Sequence, residues 1–426
     1  MPNLPIPSFS STKEAAGFSS PVFRWIWQFY TWRLTQAGRW FFWASIAFLA
    51  YSTISLEFQS YIAFVFIVAA WAGALLAMLL CRPKFTLLAD HSDRVCAGET
   101  LNVDVALTAL SSPPHGDFHV LPHRLPEGID ASPGEGRPFP PLVKGQRTRV
   151  ELGLACHQRG AYTLPAFRVE TDFPFGILRS YQSFEHGRRL MVYPRFARLS
   201  RLAIPTGRRY QPGGVAMVSV VGDSVEYIGN REYREGDDVR DIDWRATARL
   251  SKPIVREFKE EYFLRVALIL DTHVSPTLRD SEAKSRREAL EQAVSISASM
   301  GDFLARQEYV VDIFAAGPHL YHLMAGRGLA YLEQILDILC CVGESPEEPF
   351  RIIAPELMNN LARLSTVICV FIDWNETRRR FVQSLTEQGV GLKALVVSDG
   401  PCEEDPAADG IRVLTPKEVM DGVAEL

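Results

Sequence analysis

The feature that most constrains this chain of 426 residues is a run without a charged residue, from Tyr61 to Cys81. Such a run is long enough to cross the ~30 Å hydrocarbon core of a bilayer as one helix. A second uncharged run, Phe41 to Leu56, precedes it, and only residues 57–60 separate the two. This spacing predicts a hairpin of two membrane-spanning helices. The alternative is a buried helical hairpin of a soluble protein.

Basic residues flank this predicted hairpin on both sides. Arg24, Arg33 and Arg39 precede it, and Arg82 and Lys84 follow it. Because Lys and Arg accumulate in cytoplasmic flanks, both ends are predicted to face the cytoplasm. The expected location is the inner (cytoplasmic) membrane, with two crossings and with the soluble domains in the cytoplasm.

The residues before the hairpin fall into two parts. Residues 1–20 are rich in Ser and Pro and are predicted to be disordered. Residues 21–83 begin with a stretch rich in Trp and Arg, which is typical of a helix at the membrane interface, and continue into the hairpin. The alternative for 21–40 is a soluble amphipathic helix packed on the protein.

Residues 84–204 are predicted to be β-rich. Apolar and polar residues alternate over Leu101–Leu110 and Arg149–Leu154, and Pro- and Gly-rich turns separate such runs. The spacing indicates a sandwich of immunoglobulin type. Cys96 and Cys156 invite an inter-sheet disulfide, but a cytoplasmic location favours free thiols. The seven cysteines show no paired metal-binding spacing such as C-x-x-C.

After a predicted linker at Gln211–Gly214, residues 265–426 alternate between strand and helix patterns, which predicts a mostly parallel sheet covered on both faces. The fold class is therefore multidomain: a transmembrane helical hairpin, a β-sandwich and an α/β domain. The predicted strands are 265–271, 309–314, 366–373 and 391–397, and the predicted helices are 281–306, 328–339, 376–388 and a last one begun by Thr415.

Residues 217–264 are set apart by charge. Between Gly222 and Glu261, acidic and basic residues alternate and aromatic residues lie among them, which predicts a folded, ion-paired segment. The alternative is a surface helix with many weak ion pairs.

Within that segment a helix is expected to begin after Gly236, capped by Asp237 or Asp238. Asp241, Arg245 and Arg249 would then share one face. Trp244 and Leu250 fall off that face and are expected to point inward.

The string Arg231–Trp244, with Ala248-Arg249 and Val255–Phe258, resembles the signature of the bacterial family called domain of unknown function 58. The resemblance implies a membrane hairpin, a β-rich domain, the signature and a von Willebrand factor A-like domain of Rossmann type. It also implies a MoxR-type AAA+ ATPase as partner. The signature residues expected to join the two cytoplasmic domains and, second, to contact a partner are Arg231, Tyr233, Gly236, Asp237, Asp238, Arg240, Asp243, Trp244, Arg249 and Glu257.

The resemblance also implies a candidate magnesium site. Von Willebrand A-like domains hold the ion with an Asp-x-Ser-x-Ser motif and a second carboxylate, here Asp271, Ser275 and Asp373. His273 replaces the middle hydroxyl, and imidazole is a poor magnesium ligand. We therefore expect no cofactor. Asp373 is equally explained as a helix N-cap, and a metal-dependent binding module is the alternative function.

Catalytic patterns for phosphate binding, zinc proteases and serine hydrolases are missing from the sequence. Asp243 with Glu257 and Lys259 is faintly similar to the metal-dependent nucleases. The net charge of −5 and the lack of a basic stripe argue against nucleic acid. We expect a non-enzymatic scaffold or adaptor in complex assembly or envelope function, with its client and oligomeric state left open.

Overall fold

The structure is a computed structural model. It divides the chain into two compact units, one ending at Arg195 and one beginning at Phe196. The predicted disordered residues 1–20 and the predicted linker lie outside the described residues. Those described are 27, 29–54, 58–80, 82, 84–111, 117–131, 136–140, 142–205, 227–235, 237, 239–258, 265–316, 320–324, 329–348, 350–361, 364–400 and 402–426.

Two long helices open the first unit, α1 (Gln36–Ile54) and α2 (Phe58–Leu80). Among the described residues, one helix is long and apolar enough to cross a membrane, over Gln59–Leu80, and only 6% of its most apolar window is buried. This helix is therefore not a core helix buried within the described part of the chain. The second crossing, through α1, stays a prediction.

The helical segment before α1 ends for a local reason. Residues 29–33 are helical, but Leu34 forms a bridge with Leu178 and Thr35 begins the next helix. The Thr35 hydroxyl accepts a hydrogen bond from the Gly38 amide at 2.9 Å, as an N-cap residue does. The predicted interfacial stretch 21–40 is therefore interrupted at Leu34, and its last residues belong to α1.

A β-sandwich-like pair of sheets follows, as predicted. One sheet has the order β1-β3-β7-β5 and the other β2-β9-β8-β4-β6. Burial alternates along β3, and the core between the sheets includes Val103, Val105, Phe118 and Phe167. Cys96 and Cys156 are free thiols. The immunoglobulin type stays a prediction. The strands are β1 (Phe85–His91), β2 (Arg94–Cys96), β3 (Thr100–Ala109), β4 (Phe118–His123), β5 (Ile129–Ala131), β6 (Arg137–Phe139), β7 (Arg147–Cys156), β8 (Gly160–Thr171) and β9 (Ser180–Tyr193).

In the second unit, the charged segment forms a hairpin of β10 (Tyr227–Glu232) and β11 (Ile254–Phe258), with the short helix α3 (Trp244–Leu250) between them. A six-stranded sheet follows in the order β14-β13-β12-β15-β16-β17, parallel except for β14. Its strands are β12 (Arg265–Leu270), β13 (Val310–Ala316), β14 (Leu320–Met324), β15 (Thr366–Phe371), β16 (Gly391–Val397) and β17 (Arg412–Leu414). Its helices are α4 (Asp280–Arg306), α5 (Leu329–Cys341), α6 (Phe350–Asn360), α7 (Glu376–Glu387) and α8 (Pro416–Asp421).

This sheet confirms the predicted parallel α/β arrangement. Every residue of β15 is buried, as expected for a central strand covered on both faces. In sequence order within the domain the strands run 3-2-1-4-5-6, so the order reverses between β12 and β15. Ligands of such sheets bind in the crevice at the carboxyl ends of strands where the order reverses. That point is where Asp271 and Asp373 follow their strands.

Candidate functional site

The hairpin β10–β11 frames the charged segment. Glu232 pairs with Ile254 in the ladder, and the Tyr233 amide donates to the Pro253 carbonyl at 2.9 Å. Ile254 and Val255 are buried, while most charged side chains between the strands remain at the surface. The prediction of a folded, ion-paired segment is therefore met within residues 227–258.

Arg231 and Asp237 form the main ion pair of this hairpin. Two guanidinium nitrogens reach the two carboxylate oxygens at 2.7 and 2.8 Å, a bidentate geometry. The Asp237 carboxylate also accepts the Arg234 amide at 2.7 Å. The Arg231 hydrogen bond, followed by that of the Arg234 amide, lowers the pKa of Asp237 to about 2. Asp237 thus ties the loop to β10 and does not cap a helix.

The helix N-cap is Asp243, which corrects the expectation of Asp237 or Asp238. One Asp243 oxygen accepts the amides of Arg245 and Ala246, each at 3.0 Å, and the other accepts Asn230 Nδ2 at 3.2 Å. The Ala246 amide and then Asn230 lower the pKa of the Asp243 carboxyl. The predicted face of Asp241, Arg245 and Arg249 was wrong, because Asp241 lies in a 3₁₀ turn before the helix.

Trp244 and Leu250 point outward, contrary to expectation. Trp244 is 66% exposed and Leu250 is 53% exposed. The helix has only two turns, and its buried contact comes from Ala246, with Ile242 buried just before it. A small residue occupies the inward position, so the large apolar side chains are left at the surface. Arg245 and Arg249 are exposed beside them.

The other signature residues are placed less completely. Arg240 is exposed in the 3₁₀ turn, and Tyr233 is half-buried after β10. Glu257 lies in β11 opposite Gly229, but its side chain is not among those described. Gly236, Asp238 and Lys259 lie outside the described residues. Of the three residues in the nuclease alternative, Asp243 has a described side chain, and its oxygens accept three hydrogen bonds within the hairpin.

At the crevice of the α/β sheet, Asp271 is fully buried directly after β12. Its Oδ2 accepts hydrogen bonds from Nε and a terminal nitrogen of Arg378, both at 2.8 Å. Its Oδ1 accepts the His273 amide at 3.1 Å. The side chain of Arg378 is only 3% exposed, so an internal cation and anion neutralise each other inside the protein.

The charge state of Arg378 follows from these neighbours. Burial, the largest single influence, lowers the pKa of the Arg378 guanidinium, but the attraction and hydrogen bond of Asp271, together with the charges of Asp373 and Glu348, leave that pKa above its ordinary value. Arg378 therefore remains a fixed positive charge at the point of the crevice where a bound cation would otherwise balance Asp271.

Asp373 has a similar partner. Its Oδ1 lies 2.8 Å from a terminal nitrogen of Arg286 on α4, and Arg286 also donates to the Ile372 carbonyl. The expectation that Asp373 is a helix N-cap was wrong, because Asn375 caps α7 by accepting the Arg378 amide. Arginines therefore hold both carboxylates at the carboxyl ends of β12 and β15.

The residues proposed as magnesium ligands do not fit such an ion. Asp271 and Asp373 each bind a guanidinium, and the Ser275 hydroxyl bonds to Thr277 Oγ1 at 2.8 Å. Magnesium prefers octahedral oxygen ligands with free lone pairs. Among the described residues no group of three or more His, Cys, Asp or Glu side chains is arranged to hold a metal. His273 forms a bridge with Ser345 as part of the loop.

Comparison with known proteins matches part of this chain to a family. The family described as "Protein of unknown function DUF58" matches residues 229–316. The chain contains a DUF58 domain. A distant relative is the uncharacterized protein YeaD of Bacillus subtilis, 25% identical over 329 residues that cover 73% of this chain and 77% of that protein. Among solved structures, a CARDB domain from Pyrococcus furiosus, crystallised with di-metal ions, matches 26% of this chain and 94% of that chain, with 13% identity and a TM-score of 0.17.

The DUF58 match spans both features described above. It begins within the β10–β11 hairpin and continues through β12 and Asp271 to the end of β13. The recognition from the signature residues is thereby confirmed. Arg378 and Asp373 lie beyond the matched residues, so the cationic partner of Asp271 comes from outside the DUF58 segment.

Arg378 and Arg286 were missed from the sequence. Arg378 stands in a run of three arginines, 378–380, that reads as a solvated helix face. A signal was present, because Arg378, Phe381 and Leu385 recur at helical spacing and are the buried residues of α7. An arginine on the apolar stripe of a helix predicts a buried anion, and Asp271 is that anion.

Proposed function

We propose that this protein is a non-catalytic, membrane-anchored scaffold that faces the cytoplasm. It would work with a MoxR-type AAA+ ATPase, the partner implied by the family resemblance, in complex assembly or envelope function. One observation carries the interaction role: a large aromatic side chain, Trp244, stands exposed on a helix whose start is fixed by Asp243. Exposed Trp and Arg are the residues most enriched among binding hot spots.

The membrane anchor rests on α2 and its partner α1. A helix over Gln59–Leu80 covers about 33 Å at 1.5 Å per residue, against a hydrocarbon core of ~30 Å. Outward side chains such as Phe66 and Leu79 are apolar, which suits lipid. We propose that α1 crosses antiparallel to α2, with Arg39 reaching back toward the headgroups. Arg82 and Lys84 then favour the cytoplasm for both ends.

The proposed partner surface is the outer face of α3. Trp244 and Leu250 supply exposed apolar area, and Arg245 and Arg249 supply positive charge around it. The complementary surface is an apolar pocket with an acidic rim. The Arg231–Asp237 pair and the Asp243 cap hold this face in one conformation, which lowers the entropic cost of binding.

The α/β sheet fits a domain of von Willebrand A type that acts as a surface and not as a metal site. Its strand order and its antiparallel edge strand β14 support that comparison. Asp271 and Asp373 are each paired with an arginine, so neither of these two carboxylates is free for an incoming cation. We infer that adhesion of the metal-dependent kind is not the role of this domain.

The test is co-purification of the full-length protein from membranes with the MoxR-type AAA+ ATPase encoded in the same genome. We expect recovery of the ATPase in the ATP-bound state, and loss of that recovery in Trp244→Ala. Because Trp244 is exposed, the substitution should leave amide hydrogen exchange in the buried strands β12 and β15 unchanged.

Met420→Ala is the matched control, since Met420 is also an exposed apolar residue on a short helix of the same unit. It should retain the ATPase. Failure to recover the ATPase in any nucleotide state would refute the partnership. Full recovery by Trp244→Ala would refute α3 as the contact surface.

A further inference from the structure

We infer that the loop between β8 and β9, residues 172–179, inserts into the cytoplasmic face of the bilayer beside α2, where it contacts the boundary between headgroups and acyl chains. This inference rests on the proposed membrane anchor. The loop carries Phe173 and Phe175, which are 36% and 55% exposed although both are large and apolar. No part of the proposed partner surface on α3 is involved.

The first argument is the depth of the loop along α2. A Cβ placed on Gly73 would lie 3.8 Å from Phe175 Cζ, so the Phe175 ring stands at the level of Gly73. Gly73 lies about 10 Å along the helix from its end at Leu80, at 1.5 Å per residue. The loop therefore runs beside the last two turns of the candidate span and does not stop at its end.

The second argument is the length of that span. If the helix left the membrane before Gly73, only Gln59 to Ala72 would remain, about 21 Å of helix. The hydrocarbon core is ~30 Å thick, so this remainder is too short. The turns from Gly73 to Leu80 must then lie within the membrane, and the exposed side chains of Leu76 and Leu79 agree with that. Phe175 lies at the same level.

The third argument is the attachment of the loop at both ends. The Thr35 amide donates to the Ile177 carbonyl at 3.2 Å, and the Ser180 hydroxyl donates to the Met78 carbonyl at 3.1 Å. Leu34 bridges to Leu178. These bonds fix the loop to the start of α1 and to the end of α2, so the loop cannot lift away from the helices without breaking them.

The surroundings of the loop are those of a membrane interface. Ile177 and Leu178 pack in one apolar cluster with Tyr30 and Trp71, and the indole of Trp43 donates to the Tyr30 hydroxyl at 3.1 Å. Tyr and Trp concentrate at the headgroup level of membrane proteins because their rings are amphipathic. Asp172, exposed at the start of the loop, limits the insertion to this boundary.

The same end of the β-sandwich has further exposed apolar residues. Leu110 follows β3 and its amide donates to the Lys84 carbonyl at 2.9 Å, next to the start of β1. Val143 lies in the turn before β7, and the Gly145 amide in that turn donates to Ala109. Both side chains are more than half exposed. The end of the sandwich nearest the helices is thus apolar over several loops.

The test is photolabelling of the full-length protein in phosphatidylcholine vesicles that contain a phospholipid with a carbene-generating diazirine on its acyl chain. Trypsin then releases three informative peptides: Val169–Arg179 with the loop, Trp40–Lys84 with both helices, and Val150–Arg159 with the opposite end of the sandwich. We expect the first two to be labelled severalfold above the third. Phe173→Ala with Phe175→Ala should lower labelling of the loop peptide alone, and Leu88→Ala, at an exposed apolar residue of β1, should change neither peptide.

The outcomes separate the two proposals. If the helix peptide Trp40–Lys84 is labelled but the loop peptide Val169–Arg179 is labelled no more than the reference peptide Val150–Arg159, the loop insertion is overturned and the anchor is left intact. Absence of label from Trp40–Lys84 would overturn the anchor itself and the inference with it.

Discussion

Replacing Arg378 by Met should destabilise the α/β sheet severely. Asp271 is fully buried and Arg378 is its only described side-chain partner that carries a positive charge within hydrogen-bond distance. Removing one member of a buried ion pair leaves an uncompensated charge and costs ~3–5 kcal/mol. Met has nearly the volume of the arginine stem, so packing against Phe350, whose ring lies 5.9 Å from the guanidinium carbon, changes little.

Hydrogen exchange is the suitable assay, because the chain has two units and a single unfolding temperature is not defined for it. Amides of β12 and β15 report the free energy of opening this part of the sheet. A loss of ~3–5 kcal/mol corresponds to exchange faster by roughly 10²-fold to several thousand-fold, at about 1.4 kcal/mol for each factor of ten.

Arg380→Met is the matched control, since Arg380 lies on the same helix and its side chain is 75% exposed. A surface ion pair contributes about 0–1 kcal/mol, so exchange should change less than tenfold. Asp271→Asn combined with Arg378→Met removes both charges and should restore most of the protection. If Arg378→Met exchanges no faster than Arg380→Met, the reasoning about the buried pair is wrong.

Four further outcomes are expected. Addition of magnesium or of a chelator should leave exchange at β12 unchanged, because Arg378 occupies Asp271; slower exchange with magnesium would contradict this. Acidification should loosen the ion pair between Arg231 and Asp237. Because the pKa of Asp237 is lowered to about 2, its stabilisation is complete above the ordinary value near 3.8 and is lost as the pH falls toward 2. Asp237→Asn should abolish this pH dependence in hydrogen-exchange measurements. Gly38→Ala should destabilise the first unit by ~1–3 kcal/mol, since its Cβ would collide with the Ile177 carbonyl oxygen, and should speed amide exchange in α1 in detergent. Gly73→Ala, whose Cβ would have 3.8 Å of room, should gain up to ~1 kcal/mol of helix propensity and slow exchange in α2. Thr415→Ala should raise amide exchange in α8 by removing about 1 kcal/mol of capping, since the hydroxyl accepts the Glu418 amide at 3.2 Å.

Most of the fold could be predicted from the periodicity of apolar residues along the sequence. Strands β3, β7 and β12 lie within one or two residues of their predicted positions because alternation or an unbroken apolar run determines them. The helix α6 was missed, since Pro355 within Phe350–Asn360 argues against a helix. The short edge strand β17 has only three residues, which is too few for a periodic pattern.

The candidate site was less predictable, because it depends on pairs that are distant in sequence. Asp271 and Arg378 are joined only through the fold, and a single sequence contains no record of that pairing. The helix cap at Asp243 could have been predicted from the sequence, because an Asp at position 243 is as good an N-cap signal as the Asp at position 237. The 3₁₀ turn Val239–Asp241 precedes the helix, so the helix begins about one turn later than expected.

The crevice and the exposed helix differ in the free-energy cost that binding a partner would carry. A cation that bound the Asp271 carboxylate would have to displace Arg378, and breaking that buried pair costs ~3–5 kcal/mol. Trp244, in contrast, is exposed before any partner arrives, and its helix is already fixed by Asp243. Binding there needs neither the loss of a buried interaction nor the ordering of a helix. Since affinity is the surplus over such costs, this comparison favours the outer face of α3 over the sheet crevice as the proposed contact surface.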